Sequence, residues 1–334
     1  MSATNLRYLS SELALADATT FIQWWGEQHA STTSSWIAWG GSYSGQLAAW
    51  LRLRYPTSVI GSVAYSAPVL SKFDFWEYDA VCTNVLTALG GAGCSKRLTD
   101  AYSQAVSALA EGAPPSAREQ AIRLLKACER PNSTDDVAIL LGSAMGVVQS
   151  LVQYNNVGSA HDVGSFCAAG TPTIRQFYYQ LCNEFGQNTC EPGDKGCAEG
   201  VQPMPPPTVF APIAHGDLTQ PNTLCIGLYN VTRTAPALWS NRQRGWTNVA
   251  QGGRDLRASS ILFVNGRNDP YSSVSVLPEQ LSFQQAMGGL RSVAIANASH
   301  CAGMERTSSA DPPELAAAKA EVGKAVRSWL ALEA

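Results

Sequence analysis

The segment from Trp36 to Gly45 constrains the fold more than any other part of the sequence. It reads Trp-Ile-Ala-Trp-Gly-Gly-Ser-Tyr-Ser-Gly, an apolar run that enters a glycine-rich turn with Ser42 at its apex. Residues 46–54 are strong helix formers, and Tyr55-Pro56 prevents the helix from continuing. Strand, tight turn and helix in this order are typical of a nucleophile elbow, in which the turn exposes a serine oxygen at a helix N-terminus. We therefore interpret Ser42 as a candidate nucleophile.

A purely structural explanation of this segment is equally good when the segment is taken alone. The usual elbow pattern is G-x-S-x-G. In this sequence Ser44 occupies the position of the final glycine, and the glycine comes one residue later, at Gly45. A Gly/Ser-rich loop that joins a buried strand to a helix would have the same composition. The choice between the two depends on the rest of the chain.

Composition excludes several classes of protein. The 334 residues are 45% hydrophobic and carry a net charge of −3 without long charged runs, so a nucleic acid or a membrane surface is not expected as a partner. The uninterrupted apolar runs are too short to cross a bilayer. The nine cysteines include no C-x-x-C pair, which argues against a zinc ribbon, and we expect neither a metal nor a cofactor.

Cysteine distribution indicates an oxidising compartment. Eight of the nine cysteines fall in the middle of the chain: Cys82, Cys94, Cys128, Cys167, Cys182, Cys190, Cys197 and Cys225. We expect disulfides among them, with Cys301 as the odd thiol. Glycosylation sequons at Asn132, Asn230 and Asn297 agree with that compartment, whereas the polar residues after Met1 do not form a signal peptide.

The order of elements predicts an α/β fold with a parallel sheet. An amphipathic helix opens at residues 9–12, and its apolar positions are expected to face the sheet: Ala14, Ala18, Phe21, Ile22 and Trp25. Strands at 35–39 and 59–65 flank the elbow helix as a right-handed crossover. Further strands are predicted at 260–264 and 292–296, and a final helix is predicted with Asp311 as its N-cap.

The chain divides into three segments by pattern. Residues 1–70 and 244–334 carry the strand signals of the sheet. Residues 71–243 contain helical segments at 98–109 and 117–128, proline-rich loops and the eight clustered cysteines. We therefore predict a mainly helical, disulfide-rich cap at 71–243, inserted over the end of the sheet where Ser42 emerges.

Two further residues complete a candidate catalytic triad. A serine needs a histidine base oriented by a carboxylate, and in an α/β-hydrolase the acid and the base follow the serine on loops after late strands. Only His300 meets this condition, and Asp269 after the preceding strand is the matching acid. The other histidines precede the serine or the second pair of strands: His29, His161 and His215. Asp269 before Pro270 could also initiate a turn, and His300 could be a solvated loop residue, but their joint occurrence with Ser42 favours catalysis.

At this point the sequence resembles the prolyl carboxypeptidase and dipeptidyl peptidase II family of serine exopeptidases. The similar blocks are Gly40–Gly45 with Leu47–Trp50 and Ser66–Pro68, Phe73–Phe75 with Tyr78, Arg175–Gly186, Thr247-Asn248 with Gly252-Gly253, and Asn265-Gly266 with Asp269-Pro270. The resemblance implies an α/β-hydrolase fold and a triad of Ser42, Asp269 and His300, with the Tyr43 backbone N–H as one oxyanion donor. It also implies a peptide substrate with proline next to a terminus, and a secreted, lysosomal or vacuolar location. A homodimer is left open.

The sequence departs from the family pattern in ways that affect function. Tyr271 stands where the family usually has tryptophan, and Cys301-Ala302-Gly303 replaces the usual residues after the histidine. The first strands of the family's sheet and its second oxyanion donor are not found, so the elbow strand is expected to lie at an edge. The alternative function is therefore a catalytically impaired or inactive hydrolase-like fragment. If the family's acidic compartments apply, His300 should titrate below the ordinary histidine value, because its burial would then outweigh Asp269.

Overall fold

The computed structural model describes residues 8–29, 34–90, 92–125, 127, 130–155, 186–188, 208, 210–211 and 245–332. These residues fall into two compact units. The first contains the described residues up to Lys72, Gly186 and those from 245 onwards, and the second contains those from Phe73 to 155 with 187, 188, 208, 210 and 211. The predicted role of residues 71–243 as a cap over the sheet stays a prediction.

A four-stranded parallel sheet forms the centre of the first unit. Its strands are β1 (Ile37–Gly41), β2 (Gly61–Tyr65), β5 (Ile261–Gly266) and β6 (Leu290–Ile295), in the order β1-β2-β5-β6. The predicted parallel α/β arrangement is confirmed, although each strand lies one or two residues from its predicted bounds. Within the described residues β1 is an edge strand, as expected. Because all four strands run in the same direction, the segments that follow them emerge at one end of the sheet.

Helices cover both faces of this sheet. On one face α8 (Pro313–Ala331) packs its buried residues Ala318, Val322, Ala325 and Trp329 against Val63, Tyr65, Leu262 and Val264. On the other face the elbow helix α2 (Tyr43–Arg54) packs Ala49 against Ala64, Ile261 and Phe263. The alternation of neighbouring strand residues between the two faces follows from the two-residue period of a β-strand. The two central strands, β2 and β5, are buried on both sides, which explains why they read as continuous apolar runs.

Two predicted helix details are wrong. In α1 (Ser11–Gln28), which begins after the N-cap Ser10, Phe21 and Trp25 are 49% and 37% exposed. Leu15 is buried in the core beside α2, and Ala18 and Ile22 pack against that core as predicted, so only part of the predicted stripe faces inward. The final helix begins at Pro313 with Pro312 as N-cap, and Asp311 instead pairs with Lys319 at 2.8 Å. The Asp311 carboxylate, which was expected to cap the helix, therefore binds Lys319 instead.

The second unit is helical in its described part. Its helices are α3 (Glu77–Gly90), α4 (Ala92–Leu109), α5 (Pro115–Leu124) and α6 (Thr134–Gln153). Ser133 and Asp136 form a capping box at the start of α6. Short strands β3 (Lys72–Asp74) and β4 (Gly186–Asn188) form a separate two-stranded sheet.

The first unit contains further short helical elements. Residues 245–251 are helical, and α7 spans Phe283–Met287. Short 3-10 turns span Gly253–Asp255, Pro270–Val274 and Pro278–Gln280.

Helix α6 is apolar on average over the length of a membrane span. Residues Asp136–Gln153 have a mean hydropathy of 1.4 over 18 residues, and 17% of this stretch is buried, so the helix is long and apolar enough to cross a bilayer by length and composition alone. Polar and glycine residues interrupt its apolar residues, so it contains no uninterrupted apolar run of that length. Helices of soluble proteins share these properties, and the absence of a membrane partner stays a prediction.

The described side chains include two of the nine cysteines, Cys82 and Cys301. Cys301 carries a free thiol, as expected. Cys82, on α3, is fully buried and forms no disulfide with another cysteine of the described residues. The side chains of the remaining cysteines of the predicted set lie outside the described residues, so a disulfide-rich segment stays a prediction.

Candidate active site

The turn around Ser42 has the backbone of a strained elbow. Ser42 lies between β1 and α2 with φ 57° and ψ −128°, a conformation that residues with a side chain rarely adopt. Its N–H donates to the Tyr65 carbonyl oxygen at 2.9 Å, which ties the turn to the end of β2. Tyr43 is the first residue of α2, so its peptide group lies at the positive end of the helix dipole. Ser42 is partly exposed.

Ser44 has a role that its sequence position did not predict. Its hydroxyl accepts from the Gly41 N–H at 3.0 Å and donates to the Gly41 carbonyl oxygen at 2.8 Å. Both hydrogen bonds join Gly41, directly before Ser42, to Ser44, two residues after it. The serine that replaces the usual glycine of the motif therefore braces the elbow. The displaced Gly45 allows close approach to β2, because a Cβ there would lie 2.6 Å from the Tyr65 carbonyl oxygen.

Asp269 and His300 form a buried pair at the same end of the sheet. His300 Nδ1 lies 2.9 Å from Asp269 Oδ1 and 3.0 Å from Oδ2. The two side chains are 2% and 0% exposed. An ionised carboxylate has no proton to donate, so Nδ1–H is the donor and Nε2 is the ring nitrogen that remains for a reacting group. The structure therefore brings the predicted acid and base together.

Asp269 also forms the turn that was its alternative explanation. It is the N-cap of the 3-10 turn Pro270–Val274, and its Oδ1 accepts from the Tyr271 N–H at 2.9 Å. The Tyr271 ring in turn contacts the His300 ring, with centroids 5.1 Å apart. One carboxylate thus caps a turn and binds the imidazole. The tyrosine at the family's usual tryptophan position is an aromatic neighbour of the base.

Backbone contacts hold together the two loops that carry this pair. We call residues 296–304, which follow β6 and contain His300, the base loop. The N–H of Asn268, next to Asp269, donates to the Ala298 carbonyl oxygen at 2.9 Å. Gly266 at the end of β5 has no room for a side chain, since a Cβ there would lie 2.2 Å from that same oxygen. The loops that carry Asp269 and His300, the candidate acid and base, are therefore closely packed against each other.

The chain neighbours of Ser42 and His300 are also in contact. A Cβ on Gly41, directly before the serine, would lie 2.9 Å from the Sγ of Cys301, directly after the histidine. The N–H of Cys301 donates to the Ser66 hydroxyl at 2.8 Å, at the end of β2. The elbow and the base loop are therefore adjacent at one end of the sheet. Like Ser44, Ser66 and Tyr271 make contacts near the site that the sequence did not reveal.

The charge of Asp269 controls the protonation of His300. Burial is the largest single effect and lowers the pKa of His300, but the negative charge of Asp269 and its hydrogen bond to the ring, together with Cys301, raise the pKa to about 10. The pKa of His300 is therefore not lowered below the ordinary value, as it would be if the family's acidic compartments applied. Such a site resists loss of the histidine proton in the resting state and favours its uptake from a nucleophile. Across the described ranges no three His, Cys, Asp or Glu side chains form a metal-binding cluster.

Comparison with known proteins identifies relatives along nearly the whole chain. The human thymus-specific serine protease is 29% identical over an alignment of 391 positions, which covers 99% of this chain and 70% of that protein. The bovine lysosomal Pro-X carboxypeptidase is 23% identical over 98% of this chain and 69% of its own length. The mouse lysosomal Pro-X carboxypeptidase is 40% identical over 83 residues, which are 23% of this chain and 15% of that protein.

One protein-family model matches most of the chain. The model of the serine carboxypeptidase S28 family matches residues 1–172 and 167–322. The matched ranges contain the elbow, the buried Asp269–His300 pair and most of α8. The chain belongs to the serine carboxypeptidase S28 family, a family of serine peptidases.

Proposed function

We propose that this protein is a serine-type exopeptidase that cleaves short peptides at proline-containing termini through an acyl-enzyme. The observation that carries the proposal is the buried Asp269–His300 pair, at the end of the sheet where the strained turn holds Ser42. Membership in a serine peptidase family supports the reaction class. The printed name of the bovine relative, a Pro-X carboxypeptidase, supports the preference for proline.

In the proposed first step the Ser42 oxygen attacks the carbonyl carbon of the scissile peptide bond. Its proton passes to His300 Nε2, and Asp269 stabilises the resulting imidazolium through Nδ1–H. The Tyr43 backbone N–H at the start of α2 stabilises the oxyanion. The C–N bond then breaks as the imidazolium protonates the leaving amine, and an ester remains on Ser42.

In the second step water hydrolyses that ester. His300 takes one proton from the water, the hydroxide adds to the ester carbon, and the proton returns to Ser42 as the acid leaves. We further propose that residues 71–243 form the cap that selects chain termini. The lysosomal name of one relative and the clustered cysteines support a lysosomal, vacuolar or secreted location.

A fluorophosphonate probe tests the nucleophile. The wild-type chain should be labelled, Ser42→Ala should not, and Ser62→Ala should be labelled like the wild type. Ser62 is a matched control because it is a fully buried serine at the start of β2, away from the elbow. Labelling that survives in Ser42→Ala would assign the nucleophile elsewhere. A folded wild type that is never labelled would instead support the catalytically impaired alternative.

Peptide substrates test the specificity. Peptides with proline next to the C-terminus should be cleaved, and replacement of that proline by alanine should lower kcat/KM. Amidation of the C-terminus abolishes cleavage by a carboxypeptidase, whereas acetylation of the N-terminus abolishes cleavage by a dipeptidyl aminopeptidase. Equal cleavage of proline and alanine peptides would reject the proline preference and leave the peptidase assignment intact.

A further inference from the structure

Ser66, the residue directly after β2, lies between the elbow and the base loop. It is fully buried, and its N–H donates to the Val264 carbonyl oxygen on β5 at 2.8 Å. Its φ is 46°, in the left-handed region that favours glycine. Glycine would adopt this φ without strain, so what a serine supplies at this position is its hydroxyl. That hydroxyl accepts the Cys301 N–H at 2.8 Å across a sequence separation of 235 residues.

Two consecutive residues at the end of β2 hold the two sides of the site. The Tyr65 carbonyl oxygen accepts the N–H of Ser42 itself at 2.9 Å. The Ser66 hydroxyl accepts the N–H of the residue after His300. Both acceptors lie at the end of a strand that pairs with β1 and β5, so their separation is set by the sheet.

We propose that Ser66 is a positioning residue that sets the distance between nucleophile and base, by holding the base loop to the strand end that also holds the elbow. This inference rests on the proposed function of Ser42 and His300. The role differs from that of Asp269, which contacts the imidazole ring itself. Asp269 sets the orientation and charge of the ring, and Ser66 sets the place of the backbone that carries it.

Two substitutions separate the hydroxyl from the backbone. Ser66→Ala removes the hydroxyl and keeps a side chain in the strained conformation, whereas Ser66→Gly removes the hydroxyl and relieves the strain. If the hydrogen bond is what matters, both variants lose activity by a similar factor although their melting temperatures differ. Ser62→Ala is the matched control, because Ser62 is equally buried, lies on the strand that Ser66 follows, and has a hydroxyl without a hydrogen-bond partner in the part of the chain that the structure describes.

Steady-state kinetics and the pH profile provide the first readout. Misplacement of a reacting group by a fraction of an ångström lowers kcat by about 10- to 100-fold, and KM should change little. The midpoint of the pH profile should change much less in both Ser66 variants than in Asp269→Asn, since the Asp269–His300 pair remains and only the contribution of Cys301 can change. A change of KM with no loss of kcat, a shift of the midpoint as large as that of Asp269→Asn, or a Ser66→Gly enzyme with wild-type kcat would overturn the proposal.

Hydrogen exchange of the purified full chain provides a readout that does not need activity. The amide hydrogen of Cys301 should exchange faster in both Ser66 variants than in the wild type, and at the wild-type rate in Ser62→Ala. Unchanged exchange at Cys301 would remove the structural basis of the inference. A wild type that shows this protection but is not labelled by the fluorophosphonate fails the proposed function and leaves the tether between Ser66 and the base loop established.

Discussion

Replacement of Asp269 by asparagine should change both the rate and the pH dependence of catalysis. The two carboxylate oxygens of Asp269 lie 2.9 and 3.0 Å from Nδ1 of His300, and both side chains are almost fully buried. Two opposite charges about 4 Å apart at an effective dielectric constant of about 20 interact by about 4 kcal/mol. Since 1.36 kcal/mol corresponds to one pKa unit, loss of the charge should lower the pKa of His300 by up to about 3 units.

The sign of the effect follows from the protonation state that the reaction needs. His300 must be neutral to accept the serine proton, and Asp269 raises its pKa above 6.5, so wild-type kcat/KM should increase with pH through a midpoint above 6.5. In Asp269→Asn the effects of the carboxylate are lost, so the lowering of the His300 pKa by burial is opposed only by Cys301. The midpoint should therefore fall below the wild-type midpoint, by up to about 3 pH units. The maximal rate should also fall by about 10³–10⁴-fold, because the asparagine no longer stabilises the imidazolium and favours the wrong tautomer.

The assay is kcat/KM for a proline-containing peptide from pH 4 to 10, measured on the wild type and Asp269→Asn. Glu279→Gln is the matched control, because it makes the same change of carboxylate to amide at an exposed ion pair with Arg267. The control should keep the wild-type profile. An Asp269→Asn enzyme with the wild-type rate and midpoint would show that Asp269 is not the orienting acid, and the triad would have to be reassigned.

Three further substitutions and one control, Gly26→Ala, test the packing of the first unit, each by urea unfolding and by activity. Gly266→Ala should destabilise the fold by about 1–3 kcal/mol and displace the base loop, because its Cβ would meet backbone oxygens, whereas Gly26→Ala has open space in α1 and should stabilise by about 0.5–1 kcal/mol. Ser44→Ala removes two hydrogen bonds to the elbow backbone and should cost about 1 kcal/mol with a clear loss of kcat; an unchanged kcat would show that the brace is dispensable. Trp329→Ala should cost about 3–5 kcal/mol, since the indole is 4% exposed and packs directly on Gly61 of β2; a loss below about 1 kcal/mol would contradict this account of the core.

The sequence by itself determined the class of the fold and the place of the candidate triad. Continuous apolar runs separated by helices are typical of a parallel sheet buried on both faces, and β2 and β5 are fully buried in this way. The turn after β1, the loop after β5 and the loop after β6 must then meet at one end of the sheet. Ser42, Asp269 and His300 could be assigned because each lies in one of these three segments.

Local patterns determined the helices less well. The period of apolar residues in α1 predicted a helix, but it did not show which stripe would be buried, because Phe21 and Trp25 fit the same period as the residues that pack. At the last helix, Asp311 had the residue type and position of an N-cap. Its ion pair with Lys319 is a contact that only the folded chain creates.

Tertiary structure alone decided how the site is held together and how it is charged. The hydrogen bond from Cys301 to Ser66 joins residues that are far apart in sequence, and no short motif encodes it. The left-handed conformations of Ser42 and Ser66 are imposed by their contacts and do not follow from residue type. The balance at His300 was undetermined in the sequence, since burial and Asp269 act in opposite directions. It was decided by two atoms of one carboxylate that lie close to the ring in a space from which water is excluded.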